Sequence, residues 1–189
     1  MAISIAITGS FATGKSYVLE LLENMGFKTF SCDVFVKNLY TDVKIRQKIL
    51  RLLPTLKVFD KTEIAKIIYT DKLARHKIES FIHPLVLERI QSTKQQNNSE
   101  KFIFIEVPLL FESGFEQYFD YTVTMFCSEQ TRLSRAFLKP NFSRKIYDTI
   151  TSTQLTQDTK ISKADFSINT DCTKPEIEKQ ILKILDYVK

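Results

Sequence analysis

Gly9-Ser10-Phe11-Ala12-Thr13-Gly14-Lys15-Ser16, set directly behind the apolar run Ile3-Ser4-Ile5-Ala6-Ile7, constrains the fold of this chain more than any other stretch. The chain has only four glycines and spends two of them in this segment, five residues apart. A loop of this form between a buried strand and a helix is a phosphate-binding loop, in which successive backbone N–H groups wrap an anion. Side chains at the two glycines would block that approach. Gly14 opens a helix whose N-terminal amides and dipole favour negative charge. Lys15 reaches the β- and γ-phosphates, and the Ser16 hydroxyl takes a Mg²⁺ position. Val18, Leu21, Leu22 and Met25 form one apolar face of the helix, and Gly26 ends it. Binding of a nucleoside triphosphate is therefore expected, with Gly9, Ala12, Thr13, Gly14, Lys15, Ser16 and Tyr17 as the nucleotide contacts.

The 189 residues suffice for one α/β unit with a sizeable core and short insertions. No apolar stretch approaches the roughly 20 residues needed to cross a bilayer, and the opening strand, interrupted at Thr8-Gly9, is too short for a signal peptide. Cys32, Cys127 and Cys172 are odd in number and lack metal-ligand spacing, which fits reduced, structural thiols in a cytoplasmic protein. The net charge of +5 is unevenly placed: residues 37–101 carry 14 Lys/Arg against 7 Asp/Glu. Solvated helix faces account for most of these lysines, and a polyanionic small substrate is the sharper reading. No dense basic run or aromatic-studded motif points to nucleic acid.

Lys28 to Cys32 reads as a second short strand ending at Asp33. Residues 35–98 contain no convincing strand, and their apolar spacing predicts three or four helices, broken at Pro54 and Asp60-Lys61. Gln95 to Ser99 reads as a polar loop. Lys101–Pro108 predicts a central parallel strand and Tyr121–Phe126 the next one. Helices are expected over 129–138 and 143–153, separated by Pro140-Asn141. Phe166 to Ile168 reads as a last strand. A final helix opens with the capping box Thr173/Glu176 and buries Ile177, Ile181, Ile184, Leu185 and Val188. The alternation is that of a parallel sheet with helices on both faces.

Kinases, GTPases and motor ATPases share this loop. No guanine-reading Asn-Lys-x-Asp occurs, and the chain leaves little room for a motor's coupling elements. A kinase needs a carboxylate that accepts the hydroxyl proton. Asp33, at the carboxyl end of the second strand, is placed for that role or for capping the helix that follows. Glu106 ends the strongest strand, where it either helps hold Mg²⁺ or is an ordinary strand end. His83 is a lone histidine beside Pro84, structural or aimed by the bend at Pro84. Arg132, Arg135, Lys139 and Arg144 surround a loop at 138–143 that could close over the nucleotide, with Arg132 and Arg144 reading as solvated helix residues.

Taken in order, these segments resemble the dephospho-coenzyme A kinase family. The likeness runs through Ile7 to Ser16, Asp33, Ile82-His83-Pro84-Leu85-Val86, Pro108-Leu109-Leu110-Phe111-Glu112, Arg135, Gln154, Lys160 and Ala164-Asp165. It implies an α/β P-loop NTPase three-layer fold with a central parallel sheet, a helical substrate-binding insertion and a small lid. The implied division is a nucleotide core of 1–36, 99–134 and 155–189, an insertion of 37–98 and a lid of 135–154. The implied reaction is transfer of the ATP γ-phosphoryl to the ribose 3′-hydroxyl of 3′-dephospho-CoA with Mg²⁺. Asp33, Lys15 and Arg135 would be catalytic, Arg135 and Lys139 would contact nucleotide, and Asp33, Lys61, His83, Pro108 and Leu109 would meet the acceptor. Ser16 and Glu106 would serve the metal.

The chain departs from the family pattern at several positions. Ser10 and Ala12 replace glycines, Ser31 replaces the first acid of Asp-x-Asp, lysines stand for arginines at 61 and 139, and Thr170 stands for asparagine. Lysine keeps the charge but lacks the bidentate fork. Another small-molecule or nucleoside monophosphate kinase of this class, or a non-catalytic nucleotide-binding module, stays open at this point.

Overall fold

The computed structural model describes residues 2–139 and 142–188, which form two compact units. The expected break at Pro140-Asn141 lies outside the described residues. The first unit joins the segment up to Ser31 with Thr93 onward, and the second runs from Cys32 to Ser92.

The first unit is built on a five-stranded, wholly parallel sheet: β1 (Ile3–Gly9), β2 (Lys28–Ser31), β3 (Phe102–Glu106), β4 (Tyr121–Phe126) and β5 (Phe166–Asn169), in the order β2-β3-β1-β4-β5. β1 pairs with β3 on one side and β4 on the other, so the chain's progress across the sheet reverses at β1. In open parallel sheets ligands bind beyond the carboxyl ends of the strands at such a reversal, and the phosphate loop lies there. β3 is buried along its whole length, as a strand covered on both faces must be.

Helix α1 (Lys15–Asn24) packs Val18, Leu19, Leu21 and Leu22 against Ile5, Ile7, Phe104 and Val123 of the sheet. Gly26, at φ 88°, ends it in the left-handed conformation expected at that stop. The carboxyl-terminal helix of the chain, which takes the label α9 (Lys174–Tyr187), opens with the expected Thr173/Glu176 box and buries Ile177, Ile181 and Leu185 in the same core, followed by Val188.

In the second unit, α2 (Cys32–Leu39), α3 (Val43–Leu52) and α4 (Lys61–Thr70) precede α5 (Lys72–Gln96), most of which lies in this unit. Asp42 and Asp60 cap α3 and α4 by accepting first-turn amides. Ala74, Ile78, Ile82, Val86 and Ile90 are buried at four-residue spacing along one face of α5. The Arg75 guanidinium donates to the carbonyls of Ile68 and Tyr69, satisfying the end of α4.

Three boundaries differ from expectation. Cys32 opens α2 and does not end β2. α5 continues through Gln96 because glutamine propagates a helix well, so the polar stretch begins later. The helix at Gln157–Lys163 (α8) was not expected, because its one fully buried position is the charged Lys160 and no apolar period marks it. It follows α6 (Glu129–Phe137) and α7 (Arg144–Thr151).

A carboxylate ties β1 to the start of β4 at the amino ends of these two inner strands. Asp120 Oδ2 accepts from the Ser4 amide at 2.7 Å and its hydroxyl at 2.6 Å. Desolvation would raise its pKa, but these two donors, the Lys94 charge and its own amide together outweigh that and hold it below the usual carboxylate range. A depressed native pKa stabilises above the unfolded value and is lost as pH falls through the native one. Asp120→Asn is therefore expected to cost about 1 kcal/mol at pH 7, after discounting for exposure, with the difference closing below about pH 4. Urea unfolding at the two pH values measures it.

Candidate active site

The phosphate loop holds its shape by local contacts. Gly9 has φ 143°, and a Cβ there would lie 2.6 Å from the Met125 carbonyl and 2.7 Å from Thr13 Oγ1, so no other residue fits. Gly14 caps α1 at φ 89°. The Ser10 carbonyl accepts from Thr13 Oγ1 at 2.9 Å and Lys15 Nζ at 3.1 Å, and Lys15 also donates to the Gly9 carbonyl at 2.9 Å. The ammonium thus folds back over its own loop. Ser16 and Tyr17 are exposed in the first turn of α1.

Glu106 is buried at the carboxyl end of β3, in register with Ile7 of β1 and Ser31 of β2, and accepts from Ser31 Oγ at 2.6 Å. The serine that replaces an acid at position 31 therefore orients the neighbouring acid. A second carboxylate there would have repelled Glu106.

Arg132, Arg135, Lys139 and Arg144 divide differently from expectation. Arg135 donates to Thr170 Oγ1 at 2.9 Å and to the Thr170 carbonyl at 2.7 Å, and its Nη1 would lie 3.2 Å from a Cβ placed on Gly14. It is thus beside the phosphate loop. Thr170 is the brace, since its hydroxyl also donates to the Thr13 carbonyl at 2.9 Å. Lys139 Nζ lies 4.6 Å over the Phe11 ring. Arg144 is solvated, as expected, and pairs with Asp148. Arg132 is not solvated: only 8% exposed, it donates through Nε to the Phe11 carbonyl at 3.2 Å and pairs with Glu129 at 2.9 Å. The Tyr147 ring lies 5.4 Å under its guanidinium and supplies the apolar cover that helical spacing alone did not reveal. Burial and a hydrogen bond to Glu129 push the Tyr147 phenol's pKa upward.

The Pro108–Glu112 loop is fastened by Lys160. Its Nζ, fully buried, lies 2.9 Å from Glu112 Oε1 and donates to the Pro108 carbonyl at 3.1 Å, which also accepts from Thr8 Oγ1. Burial lowers the lysine's pKa against the pull of Glu112. Leu109 and Pro108 are half-buried. Sequence reasoning also missed Gln157, which pairs in both directions with the Cys127 backbone and carries no signal in its neighbours.

In the helical unit, Asp33 lies exposed in the first turn of α2, two residues beyond the end of β2. It is inside the helix and does not cap it. The Tyr69 phenol's pKa is raised by burial and then by the Asp33 charge, which puts these two side chains within electrostatic reach. Lys61 is the first residue of α4 and exposed. His83 is half-buried in the continuous α5, which Pro84 does not interrupt, and burial lowers its pKa against the pull of Glu79.

A glycine-bounded anion loop at the reversal point of a parallel sheet, with a helix carrying Arg135 braced beside it, defines a P-loop nucleotide-binding fold. The sequence model of dephospho-CoA kinase matches residues 3–176. A dephospho-CoA kinase of Rickettsia typhi is 45% identical over 183 residues, covering 97% of this chain and 96% of its own. The dephospho-CoA kinase structure from Campylobacter jejuni is 25% identical with a TM-score of 0.67, covering 100% of this chain and 98% of its own. The TT1252 structure from Thermus thermophilus shares the fold at a TM-score of 0.87 and 24% identity, with the same coverage. The chain belongs to the dephospho-CoA kinase family.

Proposed function

We propose that this chain transfers the ATP γ-phosphoryl to the ribose 3′-hydroxyl of 3′-dephospho-CoA, releasing ADP and CoA. The observation that carries the reading is an intact Gly9–Ser16 loop within a family match from residue 3 to 176. The loop amides and Lys15 bind the triphosphate, and Arg135, beside Gly14, neutralises charge that develops on the phosphoryl group. Asp33 orients the acceptor hydroxyl and takes its proton. Such a transition state is loose, so catalysis is chiefly positioning and charge stabilisation.

The donor set fits Mg²⁺. The Ser16 hydroxyl is exposed at the start of α1, and Glu106 offers a carboxylate steadied by Ser31. Magnesium at a phosphate site usually takes one or two protein oxygens besides phosphates and water, consistent with no cluster of three acidic, His or Cys groups among the described residues. When bound, the ion neutralises phosphate charge.

In this reading residues 37–98 form the acceptor-binding insertion, where the basic surplus, Lys61 and His83 meet the acceptor with Pro108 and Leu109. Residues 135–154 form the lid, with Lys139 toward the nucleotide, and 1–36, 99–134 and 155–189 form the core. The enzyme works on small molecules in the cytoplasm. Among the described residues no helix is long and apolar enough to cross a membrane.

One ADP-release assay comparing dephospho-CoA, AMP and shikimate as acceptors tests the reading. Dephospho-CoA is expected to give a kcat/KM at least 100-fold above the other two, since a site built to hydrogen-bond its substrate rejects analogues strongly. Preference for AMP or shikimate would assign a different acceptor.

A further inference from the structure

Ala12 has φ 63° and is the one residue other than glycine at positive φ among those described. An L-residue held there costs roughly 1–2 kcal/mol, so contacts beyond the loop must keep it in place. Phe11 supplies the handle. Its N–H donates to Gln154 Oε1 at 2.9 Å, and its carbonyl accepts from Arg132 Nε at 3.2 Å. Its ring is enclosed by Phe142 at 6.1 Å, Tyr147 at 6.3 Å and the Lys139 ammonium. Both backbone groups at the tip of the phosphate loop are therefore held by side chains from α6 and from the turn after α7.

Trans peptide planarity carries this outward grip into the loop. With the Phe11 N–H turned to Gln154, the Ser10 carbonyl must face the other way, where Thr13 and Lys15 hold it. With the Phe11 carbonyl turned to Arg132, the Ala12 N–H must point away from Arg132. That amide makes no hydrogen bond among the described residues. An unpartnered N–H in a phosphate loop is a donor waiting for an anion oxygen.

We infer that Arg132 and Gln154 are positioning residues for phosphoryl transfer: they set the two peptide planes flanking Phe11 and so aim the Ala12 amide at the β-phosphate. The inference rests on the reading that this loop binds ATP. It assigns α6 and the Gln154 turn a role in donor affinity that is separate from charge neutralisation. Glycine at position 12 would leave the loop free to find this shape, whereas alanine at positive φ requires the external grip.

The test uses Gln154→Leu and Arg132→Met in the full chain, with ADP binding by calorimetry and steady-state kinetics for both substrates. Each variant is expected to raise the Kd for ADP and the KM for ATP about tenfold, the worth of one aimed hydrogen bond, with acceptor KM within twofold of native. Arg132→Lys, which keeps a donor, recovers most of the loss. A lowered melting temperature with unchanged ADP affinity in whichever variants fold would show these contacts to be structural only and overturn the inference. Failure of the native chain to bind ADP overturns the parent reading and this one with it. Native binding with the variants within twofold overturns this one alone.

Discussion

Asp33→Asn is expected to lower kcat by about 10²- to 10⁴-fold while leaving ATP affinity within twofold, the range that a positioned general base contributes. Asparagine keeps the shape and one hydrogen-bonding oxygen, so the acceptor can still dock while its proton has nowhere to go. The fold is spared. Asp33 is exposed in the first turn of α2, where losing a negative charge costs only about 0.3–1 kcal/mol of helix-dipole stabilisation. The dissociation of rate from affinity is what identifies the role, and stopped-flow single-turnover kinetics with ATP binding measured in parallel reads both. An unchanged kcat would remove Asp33 from the mechanism and leave the acceptor hydroxyl to lose its proton to solvent or phosphate.

The largest expected loss of stability lies at Glu112. Lys160 is fully buried, and Glu112 is its counter-charge at 2.9 Å. Glu112→Leu leaves a buried ammonium with only the Pro108 carbonyl, which is expected to cost about 3–5 kcal/mol. For a chain of this size that is a fall in Tm of roughly 6–20 °C. The same substitution frees the Leu155 amide, which Glu112 holds at 2.9 Å. Adding Lys160→Met is expected to restore much of the loss, because a buried pair replaced by apolar side chains of similar volume is often no less stable. A single variant within 1 kcal/mol of native, or a double variant worse than the single, would show that Lys160 is not held by this charge. Activity should fall with the single variant as well, because the Pro108 carbonyl that this ammonium holds also accepts from Thr8, the residue before Gly9.

How much of this could be seen in the residues follows from what each position does. The phosphate loop, α1, β3, β4 and α9 were legible because glycine punctuation, apolar period and capping residues agree at each of them. α8 was not, since the position that faces inward is a lysine and its burial depends on Glu112, 48 residues earlier. Arg132 was misread for the same reason. Helical spacing places it beside Arg135 on α6, and only its burial and its hydrogen bond to the Phe11 carbonyl distinguish it from solvated Arg144, which shares the Tyr147 ring. Arg135 was legible as a cation of this segment, but its place beside Gly14 and its brace on Thr170 were not. Ser31 is the reverse case. Its replacement of an acid was visible at once, yet its use, orienting the buried Glu106, required the β2–β3 register.

Phosphorus NMR of the products formed from ATP and dephospho-CoA tests the whole account most directly. The expected result is one new phosphomonoester on the ribose 3′ oxygen for every ADP released. ADP accompanied only by inorganic phosphate, or a phosphoryl group on any other oxygen of the acceptor, would contradict it.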